Sequence, residues 1–342
     1  MKSILNQTWP ELSPAQARRL IERSQRIPLY AHAYAFHLNF RSNRIAIEDL
    51  LGFARDHRLR GIKIHLDDGE AQSLRHCDDA RLQVLHSLAQ QYGLEIHLEV
   101  SATDRAELET AVRVGRALAA TSIRCYPRYA GRVSEIIDWT IHDLRRLKEL
   151  DPHGQFRFTL EQHEDLRGEE LVRIVEAVGN PRLGLLFDFA NMLNARERPL
   201  DALAAMGPWI SDVHIKDAQL VTERNGWGHR ACRSGQGELP MALLLMELLL
   251  LGDEQPQVVA YGLEEEVDYY APPLRFADEP ADPFIPWRDV SETEMPEPGE
   301  LEHRLAQERQ DARGQLHHVQ GLMARLRRYA EGFLAEPRTE SP

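Results

Sequence analysis

Three features of this 342-residue sequence predict a closed (β/α)₈ barrel. Strand-like and helix-like stretches alternate eight times, in units of roughly 25 to 40 residues that suit such a barrel. Within the strands, apolar residues alternate with charged or polar ones. The last four strands each carry a carboxylate or an imidazole at or near their end. An open doubly wound sheet would show the same alternation. No Gly-x-Gly-x-x-Gly follows the first strand, however, which removes the dinucleotide-binding version of that fold. The expected layout is a single domain over 1–342. Its barrel core spans about 27–266, a Pro-rich insertion 271–298, and a C-terminal helix about 299–334.

The elements follow in order. Ser13-Pro14 reads as an N-cap followed by Pro at the first helical position, starting a helix to about Gln25. Ile27 to His37 is expected as strand one, with Tyr30, His32, Tyr34 and Phe36 sharing a face, and a helix follows from Ile45 to His57. Gly61 opens strand two, and Asp78 or Asp79 caps a helix ending near Gly93. Leu94–Val100 is strand three with helix Arg105–Ala119; Ser122–Tyr126 is strand four with helix Val133–Leu150. Gln155–Glu161 is strand five with helix Asp165–Val178. Arg182–Asp188 is strand six with a short helix at Pro199–Met206. Trp209–Lys216 is strand seven; after a glycine-containing loop comes helix Glu238–Leu251. Gln257–Glu264 is strand eight. From 271 to 298 seven prolines stand among Asp, Glu, Phe276, Phe284 and Trp287. That composition predicts a loop packed over the barrel mouth or a neighbouring subunit. Leu301, Leu305, Ala312, Leu316, Val319, Met323, Leu326 and Phe333 recur at helical spacing and predict a long closing helix.

Strand parity carries the functional argument. In a closed barrel one face of each strand packs under helices and must be apolar, so the other faces the lumen. Ile62, Ile64 and Leu66 oppose Lys63 and His65; Ile96, Leu98 and Val100 oppose Glu95, His97 and Glu99. The lumen is therefore expected to hold Lys63, His65, His97, Glu99, Arg124, Glu161, Asp188, His214, Lys216 and Glu264. Buried charges need partners, a metal or a ligand, and chemistry in such barrels sits at the C-terminal strand ends. Glu161, Asp188, His214 and Glu264 lie near such ends and are expected to converge on one divalent metal. Taken singly, each has a structural reading as a helix cap or a core histidine. An oxygen-rich set with one imidazole suits Mn²⁺ or Mg²⁺, with Co²⁺ or Zn²⁺ also compatible. Such an ion can hold a hydroxyl and the adjacent carbonyl of one substrate and acidify the C–H between them. Glu161 and Glu264, from well-separated strands, are then the candidate base and acid.

Specific motifs cluster from Glu161 onward: Thr159-Leu160-Glu161-Gln162-His163-Glu164, Phe187-Asp188-Phe189-Ala190-Asn191, and Asp212-Val213-His214-Ile215-Lys216-Asp217. Gly235-Gln236-Gly237 precedes helix seven, and Gly262-Leu263-Glu264 ends strand eight. Together these resemble the xylose isomerase-like TIM barrels, and more closely the sugar phosphate isomerase/epimerase group. The resemblance implies a metal held by Glu161, Asp188, His214 and Glu264, with Glu161 and Glu264 as the acid/base pair. Many members carry His where this chain has Asn191, which can hydrogen-bond a substrate hydroxyl but does not titrate. Expected activities are isomerisation or epimerisation of a small ketose, keto-sugar or sugar acid through an enediolate. The alternative is a metal-dependent lyase that decarboxylates or dehydrates a 3-oxo sugar acid.

Lys63, His65, His97, Arg124 and Lys216 are candidate substrate contacts; at the mouth they would suit a carboxylate or phosphate. Otherwise Lys63 or Arg124 pairs with Glu99 inside the lumen. Glu95 and Arg157 are expected to pair structurally, and Asp217 to anchor its loop. Gly226, Gly228, Gly235 and Gly237 could cradle a phosphate, and His32 is either a substrate contact or a core histidine.

Net charge is −13, which argues against nucleic acid, including an abasic-DNA endonuclease, and against an anionic membrane as partner. A non-catalytic sugar-binding barrel is a further alternative. Cys77, Cys125 and Cys232 are odd in number and lack a Cys-x-x-Cys, which fits reduced thiols and a cytoplasmic setting. The start, residues 1–10, lacks the apolar segment of a signal peptide, and the apolar run 241–251 is too short to span a membrane. The long final helix and the aromatic insertion suggest a homodimer.

Overall fold

The structure, a computed structural model, describes residues 9–288 and 295–335. Eight parallel strands close into a barrel: β1 Leu29–His32, β2 Gly61–His65, β3 Glu95–Glu99, β4 Ser122–Cys125, β5 Arg157–Glu161, β6 Leu183–Asp188, β7 Ile210–Ile215 and β8 Ala260–Leu263. Each pairs with its neighbours in chain order, and β8 pairs with β1. Ile62, Ile64, Ile96, Leu98, Ile123, Phe158, Leu160, Val213 and Ile215 are buried in the continuous apolar core under the helices.

Helix starts follow local chemistry. Ser13 and Gln16 form a reciprocal capping box at the start of Pro14–Gln25, and the carboxylates of Asp78 and Asp104 accept from backbone amides of the helices they precede. The amphipathic faces then bury against the strands. Among the described residues no helix is long and apolar enough to cross a membrane, and all three cysteines are free.

Strand one is shorter than its alternation predicts. At His32 the imidazole Nδ1 accepts from the Tyr34 amide at 3.0 Å. That bond turns the chain into a 3₁₀ turn, Ala33–Phe36, and a short helix, His37–Arg41. The helix expected over Val133–Leu150 divides into Val133–Leu144 and Leu147–Leu150. The glycine-containing segment after β7 is a hairpin, Asp217–Glu223 against Gly226–Cys232. Its two turn residues, Arg224 and Asn225, both have positive φ, as a tight two-residue hairpin turn requires.

The Pro-rich insertion follows the rim of the barrel mouth. Tyr270–Ala271 adds a strand to the hairpin. Asn194, in the loop after β6, donates to the carbonyls of Ala271 and Pro272. Arg275 then pairs with Glu170, at the start of the helix after β5, and Phe284–Ile285 bridges Gly131–Arg132 after β4. Asp282 caps the following helix at Ser134. The segment thus visits four successive βα loops. Residues 289–294 of the expected insertion lie outside the described residues.

The final helix, Leu301–Ala335, buries Leu305, Ala312, Leu316, Val319, Met323 and Leu326. On that helix Gln315 donates to the carbonyls of Ile215 at 2.8 Å and Glu264 at 3.3 Å. It ties the C-terminal ends of β7 and β8, next to Lys216 and Glu264.

Candidate active site

Register places the lumenal groups in tiers. The lower tier holds Lys63, level with His97 on the neighbouring strand, and Asp212. Lys63 crosses the lumen to Asp212, with Nζ–Oδ2 at 2.7 Å. Gly262 makes the crossing possible, since a Cβ there would stand 2.6 Å from Lys63 Cδ. Lys63 outweighs the cost of burying Asp212 and holds its carboxyl well below the ordinary range. His97 stacks on Tyr30 and lies 3.8 Å from the same carboxylate. Both are almost wholly buried. They sit one strand step deeper than His65 and Glu99 and are not among the residues lining the cavity described below. Among the described residues the expected Glu95–Arg157 pair does not form: Glu95 accepts from Tyr30 and Arg60, and Arg157 is exposed.

Glu99 forms the middle tier and organises three strands. Its carboxylate accepts from His214 Nε2 at 2.9 Å and from Arg124 Nη2 at 2.5 Å, and meets His32 Nε2 at 3.1 Å. His32 Nδ1 is already an acceptor, so its Nε2 carries the proton. His32 is thus a core histidine held by Glu99. Burial disfavours a charged Glu99, but Arg124, His32 and His214 outweigh it and keep the carboxyl well below its ordinary range. Glu99 shares the parity of His97, and that parity was the available signal for it.

In the upper tier Glu161, Asp188, His214 and Glu264 meet, each offering an atom within 4.8 Å of all the others. Asp188 lies level with His214 across the β6–β7 pair. Glu264, one residue beyond β8, is fixed by its amide bond to the Ile215 carbonyl at 3.0 Å. His214 Nδ1 lies 2.5 Å from Glu264 and 3.3 Å from Glu161, while Glu99 takes its Nε2. Asp188 Oδ1 accepts from the amides of Ala190 and Asn191. Asn191 Nδ2 reaches Glu161 at 3.5 Å. Lys216 Nζ lies 3.0 Å from Asp188 and 2.9 Å from Glu264, and Arg124 Nε is 3.0 Å from Glu161.

These residues fit a divalent cation by their own bonding. Glu161 Oε2, Asp188 Oδ2, His214 Nδ1 and Glu264 Oε2 are all buried without a hydrogen bond, although cationic atoms stand near some of them. Such groups are costly unless something completes them. Three carboxylates with one imidazole whose far nitrogen is held by Glu99 are the donor set and supporting contact a hard or borderline ion takes. Burial raises Asp188 to about 6 despite Lys216. For His214 burial opposes the charged ring, but Glu264 and Glu99 outweigh it and raise its pKa well above normal. The first shift expresses burial, the second the carboxylates crowded around the ring.

Above this cluster opens a cavity of about 630 Å³, lined among others by His65, Arg124, Glu161, Asn191, Lys216 and Glu264. His65 accepts the Asp67 amide at Nδ1 and meets Ser101 through Nε2. Burial and Arg124 lower its pKa to about 4, so it is a neutral polar wall. Sequence reasoning did not assign Tyr126 and His163, stacked at 3.8 Å in the same cavity, or Asp68, Arg128 and Arg288. Continuing the parity of Arg124 through Tyr126 would have reached Arg128. The glycine cradle is filled by the chain itself: the amides of Gly235 and Gly237 both donate to Asp217 Oδ2 at 2.9 Å. Asp217 anchors this loop, as expected from its parity.

Residues 46–261 match the family model described as "Xylose isomerase-like TIM barrel". The chain belongs to that family. Among individual members, it is 47% identical over 318 residues to the "Uncharacterized protein YihM" of Escherichia coli (strain K12), covering 93% of this chain and 98% of that one. A shorter stretch of 82 residues, 23% of this chain and 30% of the other, is 27% identical to a "3-oxo-isoapionate decarboxylase" of Pectobacterium atrosepticum. Two solved structures share the barrel. One is a xylose isomerase-like TIM barrel protein from Mycobacterium smegmatis in complex with magnesium (TM-score 0.57, 13% identity, 89% of this chain and 99% of that one). The other is a D-allulose 3-epimerase from Methylomonas sp. (TM-score 0.53, 18% identity, 70% and 84%). At these identities the xylose isomerase-like barrel itself is what is shared.

Proposed function

We propose that the protein is a divalent-metal-dependent isomerase or epimerase of a small ketose, keto-sugar or sugar acid, working by proton transfer through an enediolate. One observation carries this reading. Glu161, Asp188, His214 and Glu264 each offer a buried ligand atom within 4.8 Å of the others, and Glu161 and Glu264 open on one cavity. These four would hold the metal, with Mn²⁺ or Mg²⁺ suiting the donor set best. When bound, the ion supplies a positive centre that stabilises negative charge developing on adjacent substrate oxygens.

The chain supplies the rest. Glu161 arrives from β5 and Glu264 from just past β8, flanking the β6–β7 pair that carries Asp188 and His214. A substrate carbon held between them has a carboxylate on either side, one to take its proton and one to return it. Lys216 and His214 hold the Glu264 carboxyl well below its ordinary range against the cost of burial, so it stands ionised. Arg124 braces Glu161. Asn191 and His65 offer hydrogen bonds to hydroxyls without adding charge, and Lys216 can donate to a substrate oxygen at the cavity wall.

A lyase acting on a 3-oxo sugar acid is the second reading, favoured by the local similarity to the decarboxylase. The same enediolate would arise there by loss of CO₂. Mn²⁺-loaded enzyme incubated in D₂O with ketoses and oxo-acids separates the two. Deuterium at the carbon next to the carbonyl, without mass loss, supports isomerisation or epimerisation. Released CO₂ or water assigns the lyase instead.

A further inference from the structure

Five cationic side chains besides the histidines line the cavity: Arg75, Arg124, Arg128, Lys216 and Arg288. Four have carboxylates matched to them. Arg75 is paired with Asp67 and Glu107, Arg288 lies 3.3 Å from Glu164 and 3.4 Å from Asp165, Lys216 is shared by Asp188 and Glu264, and Arg124 by Glu99 and Glu161. Arg124 and Arg128 stand on one edge. Arg124, Tyr126 and Arg128 are alternate residues running outward from β4, and all three line the cavity. The inner one, Arg124, is 4% exposed along its side chain and braces Glu99 and Glu161, yet its Nη1 makes no hydrogen bond. The outer one, Arg128, forms no ion pair among the described residues. Its Nη2 donates to the Arg288 carbonyl at 2.8 Å, and its guanidinium lies 5.5 Å over the Trp287 ring. Both of those contacts come from the Pro-rich insertion, so the insertion holds Arg128 in place, and among the described residues no carboxylate matches its charge.

We propose that the substrate is a sugar acid whose carboxylate, at the end remote from the reacting carbons, binds Arg128. This rests on the metal-dependent reading above and narrows its substrate class. A planar guanidinium already steered by a carbonyl and a ring presents its remaining N–H groups to a carboxylate in a fixed plane. One unmatched cation suits a monoanion. A phosphate dianion usually draws on several donors, and the nearby glycine amides that could have helped are spent on Asp217. Arg124 Nη1, four residues further in, is left to a hydroxyl between the carboxylate and the metal centre.

Calorimetric titration of the Mn²⁺-loaded enzyme tests this without turnover. The probes are four- to six-carbon aldonates, the matched alditols, and the matched sugar phosphates, on wild type, Arg128→Gln and Arg128→Lys. The expected result is at least about tenfold tighter binding of one aldonate than of its alditol, the size of a charge-assisted contact. That preference is lost in Arg128→Gln and partly kept in Arg128→Lys, with all three proteins melting alike. Equal or absent binding of the aldonates, or a preference that survives Arg128→Gln, overturns the proposal. A stronger preference for the phosphates also overturns it, in favour of phosphate recognition. Failure of this proposal is separable from failure of the isomerase reading. Aldonate binding without deuterium incorporation sinks the latter alone, and deuterium in a neutral ketose without aldonate preference sinks the former alone.

Discussion

Glu99 shows how much of the site depends on residues that need not touch a substrate. By accepting from His214 Nε2 it leaves Nδ1 turned toward Glu161 and Glu264, which is the orientation a metal-binding cluster requires. At the proposed acid/base pair, Glu161→Gln and Glu264→Gln should each lower kcat by at least about a hundredfold, since an amide cannot carry the proton. Steady-state rates check this, and an unchanged rate in either variant removes that residue from the proposed proton transfer. Asp68 gives a test in stability. Burial pushes its carboxyl up to about 8 from an ordinary 3.8, so the folded chain favours the protonated form. Its contribution is complete below about pH 4 and is lost as pH rises through about 8. Asp68→Asn removes that loss while its side-chain oxygen can still accept the His65 amide. The variant's Tm should therefore gain on wild type steadily between pH 4.5 and 8.5; a constant difference contradicts the assignment.

Elements show where a local pattern is overridden. Strand β1 stops at His32 because its side chain bonds two residues ahead, an interaction no apolar alternation encodes. The hairpin after β7 is closed from below by Asp217, whose carboxylate accepts the amides of Ala218, Gly235, Gly237 and, at 3.4 Å, Leu239. Asp217→Ala leaves several of these donors in the interior without a partner and should destabilise the protein by about 2–4 kcal/mol. Urea unfolding measures that loss, and a variant as stable as wild type would show that water satisfies the loop equally well. The strand pattern made the parity of Asp217 legible. The amides it meets lie up to 22 residues further on, beyond any local signal.

Across the whole molecule the barrel concentrates acidic groups at one end of its lumen, on a chain of net charge −13. A cation that binds the folded cluster but not the unfolded chain stabilises the fold by mass action, about 2.7 kcal/mol at a hundred times its Kd. Mn²⁺ or Mg²⁺ should accordingly raise Tm, a chelator should reverse the rise, and Asp188→Asn should abolish most of it. A Tm insensitive to both ions in wild type would count against a metal centre at these residues. The rim-following insertion belongs to the same scale. Its contacts with Asn194, Glu170 and Gly131 join loops more than 60 residues apart in sequence, giving the mouth a wall that the barrel motif alone does not contain.

The eight strands, their order and the side of each that faces the lumen follow from the sequence by itself. A strand's side-chain period is local, and helices can cover only its apolar face. The same parity singled out Glu161, Asp188, His214 and Glu264 as a group, which the barrel brings within 4.8 Å of one another. Depth and pairing inside the lumen were decided by the tertiary structure. Lys63 and Lys216 look alike in the strand pattern, yet one is sealed beneath the site against Asp212 and the other stands in the cavity wall. The difference lies in strand register and in the missing side chain of Gly262. Partners such as Lys63–Asp212 and His214–Glu99 are 149 and 115 residues apart, so only closure of the barrel determines which charges neutralise one another.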